Sequence, residues 1–232
     1  MGVAGDGTLQ SIDFKGTKVR APKISRPKIG PPLPPKFFDR EPQVVSREIL
    51  GKLLVRQEPG KLIAGRIVEV EAYLGQDDPA AHAAAGRTLR NSVLFGPPGR
   101  AYVYFIYGNH YCLNVSCLPD GVPGCLLIRA LEPVIGMDEM ARARGVTLQG
   151  PADLKKLTTG PGRLAEALGI TRVRDNGKDL TTKTSDLRIV DDGYRPARIE
   201  TTLRIGITKA AERPLRFLVA ENCFVSRAVK TR

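Results

Sequence analysis

The sequence has few of the side chains that usually bind metals. It contains two histidines and four cysteines in 232 residues, and no two cysteines form a CxxC pair. His110 and the three cysteines that follow it could in principle form a zinc site. However, Cys112 and Cys117 are five residues apart in a predicted strand and therefore point to opposite faces. We expect buried, reduced thiols, and neither a metal nor a cofactor.

Long apolar runs are also missing. No stretch approaches the ~20 apolar residues that a membrane-spanning helix needs. Residues 1–16 lack the apolar core of a signal peptide. We therefore expect no membrane partner and a cytoplasmic location, or a nuclear one if the source is eukaryotic. With 42% hydrophobic residues, the chain can bury a sizeable core.

Acidic residues are outnumbered by basic ones. Lys and Arg total 36 against 24 Asp and Glu, which gives a formal net charge of +12 and a sequence pI near 9.8. Such a balance is typical of proteins that bind polyanions. Charge alone leaves two alternatives open, a nucleic-acid binder or a merely basic protein.

The composition changes abruptly near residue 37. Residues 1–36 hold six of the 18 prolines and show no apolar periodicity, which is typical of a disordered basic tail. We predict such a tail over 1–36 and one folded domain over 37–232.

Within the domain, the hydrophobic pattern predicts a mixed α+β fold. Strands that follow one another with short turns favour a curved, largely antiparallel sheet with flanking helices and a protruding β-hairpin. The predicted strands cover 61–73, 101–106, 111–117, 125–131, 186–190, 198–207 and 215–220, with a further strand after the first helix. The predicted helices cover 42–51, 134–144 and 161–168, with a possible one at 151–157.

The strand IVEVEAYLG (67–75) places acids where a buried strand should be apolar. Side chains alternate along a strand, so Glu69, Glu71 and Tyr73 are predicted to share one face with Ile67. The plain alternative is an antiparallel strand with one solvated face. Strand alternation alone favours that alternative.

The following segments add aromatic and basic groups. A long loop carries His82, Arg87 and Arg90, and loops of this kind often bind ligands. A hairpin over 101–117 then carries four of the six tyrosines, with Tyr107 at its turn. An exposed tyrosine beside basic loops suits stacking against nucleic-acid bases. On its own, His82 would more simply be a core histidine.

Five motifs carry a family resemblance. EVEAYLG with DPAAHA and GRTLRN, then YVYFIYGNHYCLNV, LLIRALEP, LTTGPGRLAEALGI and PLRF occur in this order. Together they resemble the single-domain alkyladenine (3-methyladenine) DNA glycosylases. The resemblance covers Phe37 to about Ser226 and implies a hydrolase without lyase activity that flips a damaged purine out of double-stranded DNA. It also implies an enzyme without a cofactor, and we expect a monomer.

The resemblance assigns roles to particular residues. It implies that Glu71 is the general base, that Arg129 holds the attacking water, and that Tyr107 intercalates into the DNA. The residues implied to bind the flipped base are Tyr73, Ala80, His82, Tyr104 and Asn114. Asn114 would exclude normal guanine. We expect Glu69 to be a structural partner for an arginine, and Arg87, Arg90 and Arg163 to contact the DNA backbone.

Two other functions remain open from the sequence. Gly160 to Gly162 before a helix resemble the turn of helix-hairpin-helix glycosylases, which would use a downstream acid such as Asp179 or Asp186. A non-enzymatic RNA-binding or ribosome-binding protein would explain the positive charge, but it gives no reason for two acids on one strand face. The pocket motifs do not rank the alkylated and deaminated purines.

Overall fold

A computed structural model of the chain describes residues 13–14, 17–18, 29–106 and 108–226. It confirms the predicted fold class, because a curled antiparallel half-barrel sheet packs with helices in one compact domain. The strands are β1 (Asp13–Phe14), β2 (Thr17–Lys18), β3 (Leu53–Glu58), β4 (Lys61–Tyr73), β5 (Ala101–Ile106), β6 (His110–Ser116), β7 (Cys125–Ile135), β8 (Leu187–Val190), β9 (Ile199–Thr202) and β10 (Arg216–Val219). The α-helices are α1 (Pro35–Phe38), α2 (Pro42–Ile49), α3 (Met137–Arg144), α4 (Lys155–Thr158), α5 (Pro161–Ala167) and α6 (Arg172–Asp175), with 3-10 helices at Ser92–Phe95 and Pro151–Leu154.

The predicted element boundaries hold best for the strands of the site. β4 and β5 match their predictions at both ends. The helix predicted over 134–144 begins only at Met137, because β7 extends to Ile135 and Gly136 turns the chain with a φ of 76°. The strand predicted over 198–207 is shorter, since β9 ends at Thr202.

The long strand β4 lies at the centre of the sheet and changes partner along its length. One edge pairs with β7, while the other pairs first with β3 up to Arg66 and then with β10 from Glu69. The pairing with β7 is irregular around Glu69, as at a β-bulge. Here the predicted alternation is wrong for Ile67, which packs in the same core cluster as Val68 and Val70.

The helices cover the apolar face of this sheet. Val45 and Ile49 of α2 are fully buried in the core cluster, as are Leu164 and Ala167 of α5. Burying one such large aliphatic side chain contributes about 1.5–3 kcal/mol. This packing holds the apolar face of β4 in place. The polar side chains of β4 contact other parts of the sheet.

Part of the segment predicted as a tail packs against the domain. Leu33 belongs to the core cluster and its amide donates to the carbonyl of Ile189 at 2.8 Å. Pro32 forms a bridge with Val190. Ordered packing therefore begins before Phe37, while the prediction for residues 1–28 falls largely outside the described residues.

Candidate active site

Glu69 and Glu71 are both completely buried. The alternative of a solvated strand face is therefore wrong. A buried carboxylate is stable only when hydrogen bonds and opposite charges replace its lost hydration. The two glutamates obtain that compensation in different ways.

Four hydrogen bonds fix the Glu69 carboxylate in place. Its Oε1 accepts from Nε of Arg129 at 2.9 Å, from Nε of Arg216 at 2.7 Å and from Oγ of Ser226 at 2.7 Å. Its Oε2 accepts from the Ser226 amide at 2.6 Å. This geometry agrees with the prediction that Glu69 is a structural partner for an arginine.

Glu71 has mostly neutral partners. Its Oε2 accepts from the Tyr73 hydroxyl at 3.0 Å, and its Oε1 accepts from the Ile205 amide at 2.8 Å. The nearest cation is Nη1 of Arg129, 3.3 Å from Oε1. We call Glu69, Glu71, Arg129 and Arg216 the glutamate cluster.

A cavity of about 530 Å³ lies beside this cluster. A volume of this size suits a small-molecule group such as a purine. Of the predicted site residues in the described part of the chain, the cavity brings together Tyr73, Ala80, His82, Tyr104, Asn114, Arg129 and Arg163. Glu71 lies behind Tyr73 and Arg129, which both line the cavity and contact its carboxylate.

One wall of the cavity is aromatic. The rings of His82 and Tyr104 lie 4.5 Å apart, and Nδ1 of His82 is 2.9 Å from the Tyr102 hydroxyl. Burial raises the pKa of Tyr104, and it raises that of Tyr102 to about 12. Burial and the nearby Glu71 carboxylate raise the pKa of Tyr73. These hydroxyls are therefore protonated at neutral pH, and Tyr73 acts as a donor to Glu71.

His82 is partly exposed at this wall, and its surroundings favour the neutral imidazole. Partial desolvation lowers its pKa, and the positive charge of Arg90 lowers it further. The Asn91 side chain donates to the carbonyls of His82 and Gly86, both at 2.9 Å. Asn91 thus fixes the loop that presents His82, a role that its place in GRTLRN does not indicate.

The predicted backbone-contacting arginines are exposed. Arg87, Arg90 and Arg163 all reach solvent. Arg90 also lies over the Tyr104 ring, with its Cζ 6.0 Å from the centroid, and Arg163 lines the cavity. The structure therefore places two of them next to the cavity. Tyr107 lies outside the described residues.

Two glycines allow segments near the site to approach each other closely. Gly75 follows β4 with a φ of 90°, and a Cβ there would lie 2.1 Å from the carbonyl oxygen of Pro123. At Gly162 a Cβ would lie 2.9 Å from Cγ of His110, where the hairpin strand β6 contacts the start of α5. Because Gly162 and His110 both line the cavity, a larger side chain at Gly162 would push two of its walls apart.

Several residues of the site carried no signal in the sequence. The segment 205–207 lines the cavity and supplies the Ile205 amide to Glu71. A backbone donor cannot be recognised from residue types. Arg204 and Asp78 form a buried ion pair at 2.9 Å beside Tyr73, and in the sequence Asp78 is only the first residue of the DPAAHA motif.

The acids of the helix-hairpin-helix alternative lie elsewhere. Asp186 pairs with Arg56, Arg174 and Lys178 at 2.9, 2.7 and 2.6 Å, and Asp179 pairs with Arg100 at 3.2 Å. Neither acid lines the cavity. We call Arg56, Arg174, Asp175, Lys178 and Asp186 the aspartate cluster.

A known protein family matches most of the chain. The model of the family described as Methylpurine-DNA glycosylase (MPG) matches residues 36–223. The chain belongs to this family. Membership makes it a DNA glycosylase, a hydrolase that acts on N-glycosyl bonds with DNA as its substrate. This decides against a non-enzymatic RNA-binding protein.

Relatives from bacteria and archaea agree along nearly the whole domain. A protein of Koribacter versatilis is 62% identical over 195 residues, which cover 84% of this chain and 93% of the relative. A protein of Methanoculleus marisnigri is 47% identical over 84% of this chain and 98% of its own length. One of Burkholderia cenocepacia is 44% identical over 91% and 99%. Each carries the name "Putative 3-methyladenine DNA glycosylase".

Two kinds of feature are absent from the described residues. Within residues 29–106 and 108–226, no three His, Cys, Asp or Glu side chains are grouped in a way that could hold a metal ion. Among the helices described for this chain, none is long and apolar enough to cross a bilayer.

Proposed function

We propose that this glycosylase removes alkylated and deaminated purines from double-stranded DNA. The class comprises 3-methyladenine, 7-methylguanine, hypoxanthine and ethenoadenine. The observation that carries the proposal is the aromatic cavity with a buried carboxylate, Glu71, bound directly behind Tyr73 and Arg129. The name that these relatives carry supports 3-methyladenine as one substrate.

Glu71 acts as the general base. It takes a proton from water while the water oxygen attacks the anomeric carbon, and the bond from that carbon to the purine nitrogen breaks. Two hydrogen-bond donors, the Tyr73 hydroxyl and the Ile205 amide, occupy two of about four lone-pair positions of the carboxylate. Even with Arg129 Nη1 at 3.3 Å as a further partner, a position remains for this water. Arg129 orients the water, and the negative charge of Glu71 stabilises the oxocarbenium-like sugar. In the part of the chain that the structure describes, no lysine lines the cavity, so we expect no covalent intermediate with the sugar and no strand cleavage.

The aromatic wall binds the flipped base. Tyr73, His82 and Tyr104 stack on it, and Ala80 borders the same space. A cationic alkylpurine gains further attraction from the electron-rich tyrosine faces. Asn114 is buried, and its amide donates to the Tyr102 carbonyl at 3.2 Å. Because its position is fixed, it excludes a normal guanine by contact with the exocyclic amino group.

The DNA itself is held outside the cavity. Tyr107 fills the gap that the flipped nucleotide leaves, and Arg87, Arg90 and Arg163 neutralise phosphates. The protein acts as a monomer in the cytoplasm, or in the nucleus if its source is eukaryotic. These roles of Tyr107 and the three arginines are the ones predicted from the sequence.

The test is base release without any added metal or cofactor. Duplex oligonucleotides carry one lesion each, with an undamaged duplex as control, and abasic sites are detected as alkali-labile breaks. We expect breaks with at least one of the four lesions and none with the control. The absence of alkali-labile sites from all four lesion duplexes would contradict the proposal.

The role of Tyr107 is tested separately. Tyr107→Ser removes the ring that fills the DNA stack, so we expect weaker binding to a lesion duplex and slower base release. Tyr194→Ser is a matched control at an exposed tyrosine outside the cavity lining. Equal affinities of the two variants for lesion DNA would exclude the intercalation role.

A further inference from the structure

Arg204 and Asp78 form a buried ion pair next to the cavity that has no role in the predicted mechanism. Both side chains are completely inaccessible. Arg204 Nη2 donates to Asp78 Oδ1 at 2.9 Å, and Arg204 Nη1 also donates to Asp78 Oδ2. Such a two-point pair fixes both position and orientation of the guanidinium. Burial of an ion pair is by itself weak evidence that the pair serves stability.

The pair joins three segments that build the cavity. Arg204 Nη1 donates to the Ala72 carbonyl of β4 at 3.1 Å, and Nη2 donates to the Ala210 carbonyl at 3.3 Å. Asp78 accepts from the amides of Leu74 and Ala80, both at 3.2 Å. The strand with Glu71, the loop towards His82 and the segment 204–210 are therefore tied together at one point.

The same pair touches both neutral partners of Glu71. The guanidinium carbon of Arg204 lies 4.8 Å from the centroid of the Tyr73 ring, within cation–π distance. Tyr73 donates to one oxygen of Glu71. The residue after Arg204 is Ile205, whose amide donates to the other oxygen. A displacement of Arg204 would hence move both donors away from the carboxylate.

We propose that Arg204 and Asp78 are positioning residues for the Glu71 carboxylate. Through Tyr73 and Ile205 they hold its two oxygens in the orientation that leaves one lone pair directed at the attacking water. The inference rests on the proposed function of Glu71. Because general-base catalysis depends on geometry of about 1 Å or better, the pair affects the rate of bond cleavage more than the affinity for lesion DNA.

The test compares Asp78→Asn with a matched control in the aspartate cluster. Asn would turn an amide NH2 towards the Arg204 guanidinium and break the pair. Asp175→Asn makes the same change in the Arg56–Asp175 pair, which is equally inaccessible and lies outside the cavity lining. Single-turnover rates are measured with excess enzyme on the lesion duplex that the wild type cleaves fastest. Affinity for that duplex is measured in the Glu71→Gln background, where we expect the substrate to persist.

We expect Asp78→Asn to lower the single-turnover rate at least about tenfold and to change the affinity less than about twofold. Asp175→Asn should keep the wild-type rate per folded molecule. Thermal unfolding shows that each variant is folded at the assay temperature. If Asp78→Asn does not fold, Arg204→Lys replaces it, because lysine keeps the charge but cannot make the two-point contact, and the same rate loss is expected.

Two failures can be told apart. If the wild type releases no base from any lesion duplex, the proposed function fails and this inference fails with it. If the wild type is active and Glu71→Gln is inactive, but Asp78→Asn or Arg204→Lys matches Asp175→Asn in rate, only the positioning role is overturned. An equal loss of affinity and rate would likewise assign the pair to DNA binding.

Discussion

The glutamate cluster and the aspartate cluster each contain a buried arginine–carboxylate pair, and Asp186 of the second cluster is partly exposed. The two clusters differ in how their carboxylates are neutralised. Asp186 meets three cations within 2.9 Å, and these hold its pKa well below the usual range against the opposing effect of burial. Glu71 meets one cation at 3.3 Å, and its closer partners are a hydroxyl and a backbone amide.

This difference separates a structural acid from a candidate base. A carboxylate surrounded by cations accepts a proton poorly and cannot stabilise a further positive charge. Glu71 keeps more of its charge uncompensated and lies next to a cavity, whereas Asp186 does not line it. The number and charge of the donors, and not burial alone, therefore indicate which acid can perform chemistry.

The largest expected effect comes from neutralising one acid in each cluster. Glu71→Gln should lower the rate of base release by ~10²–10⁴-fold, the usual contribution of a general base. Asp186→Asn is the matched control and should leave the rate unchanged. Single-turnover excision from the lesion duplex checks both variants. A slow Asp186→Asn beside an active Glu71→Gln would reverse the comparison and favour the helix-hairpin-helix mechanism.

The next effect concerns stability instead of activity. Arg56→Met leaves Asp175 without its two-point partner in an inaccessible site, and breaking such a pair costs about 3–5 kcal/mol in the free energy of unfolding. The rate per folded molecule should stay at the wild-type value. Denaturant unfolding and excision assays together measure the two quantities.

The control for that variant is a surface pair. Arg40→Met breaks the pair with Glu48, whose side chain is half exposed, and should cost at most ~1 kcal/mol. If Arg56→Met were no more destabilising than Arg40→Met, the aspartate cluster would not be the stabilising network that we describe.

A smaller effect is expected inside the glutamate cluster. Tyr73→Phe keeps the stacking ring but removes the hydroxyl that donates to Glu71 at 3.0 Å. A hydrogen bond to a charged group contributes ~1.5–3 kcal/mol, so its loss from the oriented carboxylate should slow base release about tenfold or more. Affinity for lesion DNA should change little. Tyr194→Phe, at an exposed tyrosine outside the cavity lining, serves as the control, and equal rates of the two variants would contradict the role of this donor.

The smallest effect concerns the pH ranges in which His82 at the cavity and the aspartate cluster lose their contributions to stability. His82 beside the cavity has a pKa below its usual value of about 6.5. The unfolded chain therefore binds its proton first as the pH falls, and the contribution of His82 to stability, complete above ~6.5, is lost on acidification through the folded pKa. The aspartate cluster loses its contribution only below ~3.9, the usual pKa of Asp.

An NMR titration of the imidazole measures this shift. Because the chain has only two histidines, His110→Gln leaves one signal to assign. Arg90→Ala should raise the pKa of His82, since it removes the repulsion but not the desolvation. Arg87→Ala, three residues before Arg90, is the control, because the charge that lowers the pKa of His82 is that of Arg90. An unchanged value in Arg90→Ala would show that desolvation alone lowers the pKa.

The strands of the site could be predicted because their patterns are local. The apolar residues of β4 and the tyrosines of β5 specify strands whose ends agree with the structure. The bulge near Glu69 could not be predicted, because it depends on the exchange of β3 for β10 as the partner of β4. Local sequence carries little information about such distant pairing.

The side chains of the site were predicted where they lie in motifs that resemble the family, and not from residue type alone. Tyr73, His82, Tyr104, Asn114 and Arg129 lie in such motifs, and all line one cavity. The Ile205 amide was not predictable, because every residue except proline offers the same donor. Arg204 was missed for another reason, since an isolated arginine in a strand-like run has no visible partner until the fold brings Asp78 to it.

The change of partner along β4 also affects how the enzyme assembles. Residues 61–73 are synthesised early, but some of the donors to their carboxylates come much later in the chain. Arg216 and Ser226 donate to Glu69 from 147 and 157 residues away, and the Ile205 amide donates to Glu71 from 134 residues away. Contacts this distant close long loops, so we expect them to form late. A nascent chain that has reached only β8 already contains β4, Tyr73 and Arg129, but not these three donors. We therefore expect the catalytic centre to be completed late in folding.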